Sequence, residues 1–377
     1  MPERLTVVQV LPALESGGVE RGTLELARHL VELGHRSIVI SAGGRMVESL
    51  IRAGSEHLSW DVGHKGLTTL RYVPRLRRYL RAQAVDILHA RSRMPAWVAY
   101  LAWRGMDPIA RPRFVTTVHG LYSVNPYSAV MVKGERVIAV SAAVRDYILR
   151  AYPRTDPARI RLIPRGIDPA HHPPGYRPPP AWLAAWQAQY PQLAGKRLIT
   201  LPGRITRLKG HEDFIALVSR LKALGEPVHG LIVGGVHPRK RRYLDELRAR
   251  IAAAGLERDI SFTGARDDLR EIMAVSDLVL SLSAQPESFG RTVLEALALG
   301  VPVAGYDHGG VGEQLRRHYP QGCVPLRDLD ALVQVCLGLL HTPPPVDVRG
   351  LPTLAAMLAA TVDLYRELLS ASPATGR

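Results

Sequence analysis

Residues 277–307 read DLVLSLSAQPESFGRTVLEALALGVPVAGYD. DLVLSLS is an apolar run of strand length, and VPVAGYD is another. Between them TVLEALALG has helical spacing and closes at Gly300, a residue suited to ending a helix. Strand, helix and strand in so short a span make a parallel βαβ unit, with Gln285–Gly290 as the loop that leaves the first strand. Glu287 lies on that loop and Glu295 lies one to two turns into the helix. Eight helical residues turn a side chain by about 80° around the axis. The two carboxylates need not touch, and they suit gripping two parts of one ligand. The amides of Ser288, Phe289 and Gly290 at the helix entrance are placed to hold an oxyanion. One surface glutamate and one helix-dipole glutamate would give the same spacing, so the pair alone does not decide the chemistry.

The same alternation runs outward in both directions. TVVQVLP, RSIVISA, AVDILHA, RFVTTVHG and RVIAVSA read as strands, with helical patterns such as VERGTLELARHLVELG between them. After residue 195 it restarts with KRLITLPGR, VHGLIVGG and DISFTG as strands, followed by DLVLSLS and VPVAGYD. Apolar strands alternating with helices predict an α/β fold of two Rossmann-like doubly wound domains facing a cleft. The 377 residues are enough for two cores. HHPPGYRPPP (171–180), with five prolines in ten, reads as a linker between them. The expected division is 1–172, a linker and following helix over 173–195, a second domain over 196–345, and a last helix and tail over 346–377. That last helix is expected to cross back to the first domain, and the tail ASPATGR to be disordered.

Composition narrows the function classes. Two cysteines, Cys323 and Cys336, make neither a disulfide framework nor a zinc cluster, which fits a reducing cytoplasm. MPERLTVVQVLP lacks the basic and apolar regions of a secretory leader, and no apolar run approaches membrane-spanning length. The net charge of +15 attracts phosphates or an anionic leaflet. Aromatic residues are only 6% of the chain and do not interleave with the basic ones, so no nucleic acid partner is expected.

Ligands of doubly wound sheets bind beyond the carboxyl ends of the strands, so the loops there carry the candidates. Gly17 and Gly18 follow the first strand and open a helix, where backbone can approach an anion closely. This is not GxGxxG, and a tight turn would look the same. His119 ends a strand on the expected cleft side. In LPGRITRLKGHEDF, Gly203 and Arg204 end a strand while Lys209 precedes a helix, which together suit an anion. Gly234 and Gly235 leave room for a flat ring against backbone, and Gly309–Gly310 form a second amide cradle with Glu313 at its mouth. Asp267–Asp268 reads as the cap of an apolar helix rather than a metal pair. LRYVPRLRRYLRAQ (70–83) reads as an amphipathic basic helix, either core-packed or docking on an anionic leaflet or phosphorylated glycolipid.

Taken in order, PESFGRTVLEALALGVPVAGYDHGG, GGVERGTLELARHLVELGH, GRITRLKGHE and FTGARDDLREIMAVSDLVLSLS resemble glycosyltransferase family 4, the retaining enzymes of GT-B architecture. The first of these looks like that family's E-x7-E motif. The chain is also similar to lipopolysaccharide-core sugar transferases of Gram-negative bacteria. The resemblance implies that Glu287 contacts the donor sugar's hydroxyls, with the amides of Phe289 and Gly290 beside it. It implies that Glu295 binds the nucleotide ribose, that Arg204 and Lys209 hold the diphosphate, that His119 sits beside the donor sugar, and that Gly18 lies against sugar or phosphate. In IPRGIDP the family's usual Asn is replaced by Arg165. The implied activity is metal-independent, retaining hexosyl transfer from a UDP-sugar to a glycan or glycolipid, with no cofactor, in the cytoplasm or peripheral on the inner face of the cytoplasmic membrane. A sugar-nucleotide epimerase of the same architecture, or a non-catalytic binder of nucleotide-sugar or nucleic acid, is the alternative.

Overall fold

The computed structural model describes residues 4–15, 17–237 and 241–371. Of the expected disordered tail, 371–377, all but Ala371 lies outside them. Among the described residues, thirteen strands form two sheets in which every pairing is parallel. The first holds β1 (Thr6–Val10), β2 (Arg36–Ser41), β3 (Glu56–Ser59), β4 (Ile87–Ala90), β5 (Arg113–Val118), β6 (Arg136–Ala139) and β7 (Ile160–Leu162), in the order β3-β2-β1-β4-β5-β6-β7. The second holds β8 (Arg197–Pro202), β9 (Val228–Val233), β10 (Ile260–Gly264), β11 (Leu278–Ser281), β12 (Val303–Tyr306) and β13 (Cys323–Val324), in the order β10-β9-β8-β11-β12-β13. Both orders reverse once, between β1 and β4 and between β8 and β11, which is the doubly wound Rossmann arrangement. Central strands such as β4 and β9 are buried along their whole length, so they read as mainly apolar runs, each interrupted by one histidine, His89 and His229.

Three strands escape the sequence pattern, and all three are sheet edges: β3, β7 and β13. Their physical reason is shared. These three have only two to four residues and are partly exposed, as in EHLS, so no apolar run marks them, whereas the fourth edge strand, β10, has five residues and is legible.

The chain divides into two compact units, Met1–Pro164 with Ala355–Arg377, and Arg165–Leu354. The proline-rich 171–180 lies along the second unit. Gly175 N–H donates to Leu299 C=O at 2.9 Å, and Tyr176 Oη bonds to Glu271 at 3.0 Å. The helix Pro180–Gln189 then buries Trp186 against Leu198, Leu231 and Ile272. Within the same unit, residues 166–167 run beside 352–354: Ile167 N–H donates to Pro352 C=O at 3.1 Å and Leu354 N–H to Ile167 C=O at 2.7 Å. A Cβ on Gly166 would sit 2.1 Å from the Thr353 oxygen, which accounts for the glycine after Arg165.

The last helix, Leu354–Ser370, returns to the first unit as expected. Its Tyr365 is fully buried, and its Oη meets His89 Nδ1 of β4 at 2.6 Å. His89 Nε2 meets Thr117 Oγ1 of β5 at 2.6 Å, so one imidazole ties helix to sheet. The basic stretch 70–83 forms the helix Tyr72–Ala82, with Tyr72, Leu76 and Leu80 buried. Arg75 stacks on Trp60 at 4.3 Å, and Arg77 donates to the carbonyls of Leu101 and Ala102, so two of its arginines serve packing. No helix among the described residues is long and apolar enough to cross a membrane.

Replacing Tyr365 with Phe strands a buried imidazole nitrogen. It should cost about 1–3 kcal/mol, read as a lower denaturant midpoint with an unchanged slope. A midpoint equal to the parent's would show that this bond does not hold the helix.

Candidate active site

The strand order dictates where the candidates meet. At the β8/β11 reversal the loops leaving the two strands, 203–210 and 282–290, lie side by side beyond the carboxyl ends. Ala284 N–H donates to Leu208 C=O at 2.9 Å and pins one to the other. Gly210 completes the junction. It is left-handed (φ +71°) where it opens the helix His211–Ala223, and a Cβ there would stand 2.0 Å from the Leu282 oxygen. Only glycine satisfies both demands.

With the loops so held, Lys209 Nζ lies 2.6 Å from Glu287 Oε1, each side chain being less than one-third exposed. Ser283 Oγ donates to the same carboxylate oxygen. A third loop closes on this pair: Gly310 N–H donates to the Glu287 carbonyl at 2.7 Å, and Glu287 bridges Gly309. Gly309–Gly310 therefore differ from their reading as an amide cradle. The Gly310 amide is spent on fixing the Glu287 backbone.

Gly290, left-handed at φ +80°, opens the helix Arg291–Ala298 with no side-chain cap, as does Gly210 for its own helix. The helix after Gly290 has no acid in its first turn, so its positive end is directed to the loop region, whereas Glu212 and Asp213 stand in the first turn of the helix after Gly210. Ser288 is half-buried and Phe289 buried beside them. Glu295 is buried on the first of those helices, where Arg291 Nε donates to it at 2.9 Å. Arg204 is exposed and, among the described residues, forms no ion pair. Gly203, with φ +143°, lies against the stem of Lys209. Gly235 accepts Ile205 N–H at 3.0 Å, while Gly234 brings backbone against the Gly203 oxygen.

Gly17, Gly18 and His119 belong to the first unit. Gly17 opens the helix Gly18–Glu32 after β1, and His119 follows β5, its N–H donating to Tyr122 Oη at 3.3 Å. Asp268 departs from its reading as a cap. It precedes the helix Leu269–Ala274, but its side chain makes no cap bond. Both its oxygens face Arg266, at 2.8 and 2.6 Å, and Trp182 Nε1 donates at 2.7 Å. Burial opposes its ionisation, and these bonds outweigh burial, so it titrates below the usual range.

Three residues were missed. Arg291 was findable, since Arg and Glu four apart on a helix pair. Ser283 was not, because its reach to Glu287 depends on the loop. Arg91 stands at the β1/β4 reversal, buried, donating to Gln9 Oε1 at 2.8 Å, with burial pushing its pKa down to about 10.

The chain's likeness to known proteins agrees with this geometry. Residues 16–171 match the family described as Glycosyltransferase Family 4, and residues 184–347 match Glycosyl transferases group 1. A solved glycosyltransferase of Rickettsia africae ESF-5 is 30% identical, with a TM-score of 0.84 over 98% of this chain and 100% of that one.

The chain belongs to glycosyltransferase family 4.

Its two Rossmann-like units are those of the GT-B architecture. Two more distant fold neighbours are Anabaena HepE in complex with UDP-glucose (20% identity, TM-score 0.75, 97% and 98% of the two chains) and WaaG, a glycosyltransferase involved in lipopolysaccharide biosynthesis (17%, 0.65, 97% and 96%). A curated relative, the 2-deoxystreptamine N-acetyl-D-glucosaminyltransferase of Streptomyces fradiae, is 29% identical over 205 residues, 54% of this chain and 46% of that protein. The chain spans about half the length of the first curated relatives it matches.

Two tests follow from the loop junction of this family 4 protein. Gly210→Ala should destabilise the second unit by more than about 1 kcal/mol, seen in thermal unfolding; an unshifted midpoint would mean the loops are not locked there. His211, next in sequence, is fully buried, and burial holds its pKa down to about 4 from an ordinary 6.5. Between those values the unfolded chain binds a proton that the folded chain refuses, so stability falls as pH drops through that window. The loss approaches about 3 kcal/mol and should be flattened in His211→Gln. An equally steep decline in that variant would assign it to other groups.

Proposed function

We propose that this protein transfers a hexose from a UDP-sugar to a glycan or glycolipid acceptor, with retention at the anomeric carbon and without a metal ion. The observation that carries the proposal is the meeting of Lys209, Ser283 and Glu287 where the second sheet reverses. Cleaving the bond from the anomeric carbon to the diphosphate puts negative charge on the departing oxygen and positive charge on the sugar. Fixed donors beside that oxygen lower the barrier most. Lys209, held by Glu287, and the helix start at Gly290 are of that kind, and Arg204 adds a further cation on the same loop as Lys209. Side-chain cations of this sort do the work that a metal would otherwise do.

Glu287 is an acceptor whose oxygens can also take bonds from sugar hydroxyls. It is assigned as orienter, not nucleophile, because Lys209 and Ser283 already engage it. On this reading the acceptor hydroxyl attacks from the face the diphosphate leaves. A bond from the acceptor oxygen to the anomeric carbon forms, the bond to the diphosphate breaks, and the hydroxyl proton passes to the departing phosphate oxygen. Glu295 would hold the ribose, exchanging its Arg291 contact for hydroxyls.

The HepE complex with UDP-glucose favours a UDP-sugar donor, and the likeness to WaaG favours a lipopolysaccharide-core acceptor. The +15 charge favours action in the cytoplasm, peripheral on the inner face of the cytoplasmic membrane. Thermal-shift screening of UDP-, GDP- and ADP-sugars should single out a UDP-sugar. Glu287→Ala should then lower turnover about 10²-fold while leaving UDP affinity nearly unchanged. Normal turnover in that variant would remove Glu287 from the site, and an epimer formed without acceptor would replace transfer with epimerisation.

A further inference from the structure

The first unit carries an apolar groove that no role described so far uses. Its volume is about 660 Å3, in the range of small-molecule sites. One wall is the helix Arg93–Arg104, which is apolar on two faces. Ala96, Val98, Ala99, Ala102 and Trp103 are buried in the core. Met94, Trp97 and Leu101 form a second stripe at helical spacing, only half-buried, and this stripe faces the groove. A helix apolar all round is normally covered on all sides. Here the cover is partial: Leu67 and Leu70 on one side, Pro126 and Tyr127 on the other. Leu67 is 86% exposed, and Val124, close in sequence to Pro126, is 60% exposed.

Two cations border this apolar surface. Lys65 lies on the rim, 6.0 Å from the Tyr127 ring, and Arg93 stacks over Tyr127 and Tyr122 at 5.3 and 4.8 Å. Among the groove's described lining residues Lys65 is the one charged group, and no carboxylate lines it. Every wall leaves the carboxyl end of a strand. The segment 65–70 follows β3, the helix Arg93–Arg104 follows β4, and Pro126–Tyr127 lie on the loop that begins after β5 with His119. The groove is therefore on the edge where such sheets bind ligands.

We propose that this groove takes an acyl chain of a phosphate-bearing lipid, with the surrounding cations meeting the headgroup. An apolar groove alone would fit many occupants. A groove with Lys65 on its rim and Arg93 over its Tyr127 wall favours a ligand that is apolar at one end and anionic at the other. The inference deepens the transferase reading and rests on it only in making that lipid the anchored acceptor.

The test uses the full chain and vesicles of phosphatidylcholine with or without phosphatidylglycerol. With phosphatidylglycerol present at low salt, the protein should float with the vesicles. Brominated acyl chains should quench its tryptophan emission, and Trp97→Phe should remove most of that quenching while flotation persists. Leu67→Asp/Leu70→Asp should weaken flotation about tenfold or more. Quenching undiminished in Trp97→Phe would overturn the proposal. So would flotation lost in Arg78→Glu/Arg81→Glu but kept in the leucine pair, which would assign docking to the basic helix. UDP-sugar hydrolysis at the parental rate in the leucine pair separates a lost lipid site from a lost fold. Absence of hydrolysis in the parent would count against the transferase reading and leave the quenching result standing.

Discussion

Everything at the candidate site depends on one steric constraint, the contact between the backbone of Gly210 and that of Leu282. In a doubly wound sheet the helices after β8 and β11 lie on opposite faces, so their loops part at the carboxyl edge and leave a crevice. Left to themselves, two such loops would be mobile. The missing side chain at Gly210 lets them touch, and the Ala284–Leu208 hydrogen bond fastens them. Lys209 and Glu287, seventy-eight residues apart in sequence, are then held within 2.6 Å.

The glycines of the next loop extend the same logic. Gly310 spends its amide on the Glu287 carbonyl, so the carboxylate is positioned from its own backbone as well as by Lys209 and Ser283. A half-buried ion pair of this kind adds little to stability by itself. Its value is geometric: a fixed carboxylate and a fixed ammonium beside the helix start at Gly290, whose first turn carries no acid. The first unit shows a parallel economy at its own reversal. There Arg91 is buried against Gln9, and His89 links β4 to the last helix through Tyr365.

Much of this was legible. Buried parallel strands are mainly apolar, so ten of the thirteen described could be read directly, and the loops after them named most of the site. Three of the four edge strands could not, since they are only two to four residues long and partly exposed; the fourth, β10, is five residues long and was read. Arg291–Glu295 was readable from helical spacing, whereas Ser283 was not. Its partner is only four residues away, but the contact requires the loop to fold back. Asp268 looked like a cap by position, yet Arg266 and Trp182 compete for its carboxylate and win.

The sequence by itself determined the two-sheet α/β class, the family, and which loops carry cations and glutamates. Those follow from local periodicity and from motifs contiguous in the chain. Only the tertiary structure decided which of these residues meet. It turned Gly310 from a ligand cradle into a backbone clamp and left an apolar stripe on the helix Arg93–Arg104 half uncovered. Both outcomes depend on contacts between segments tens of residues apart, and no local pattern encodes the distance at which two loops or two faces come together.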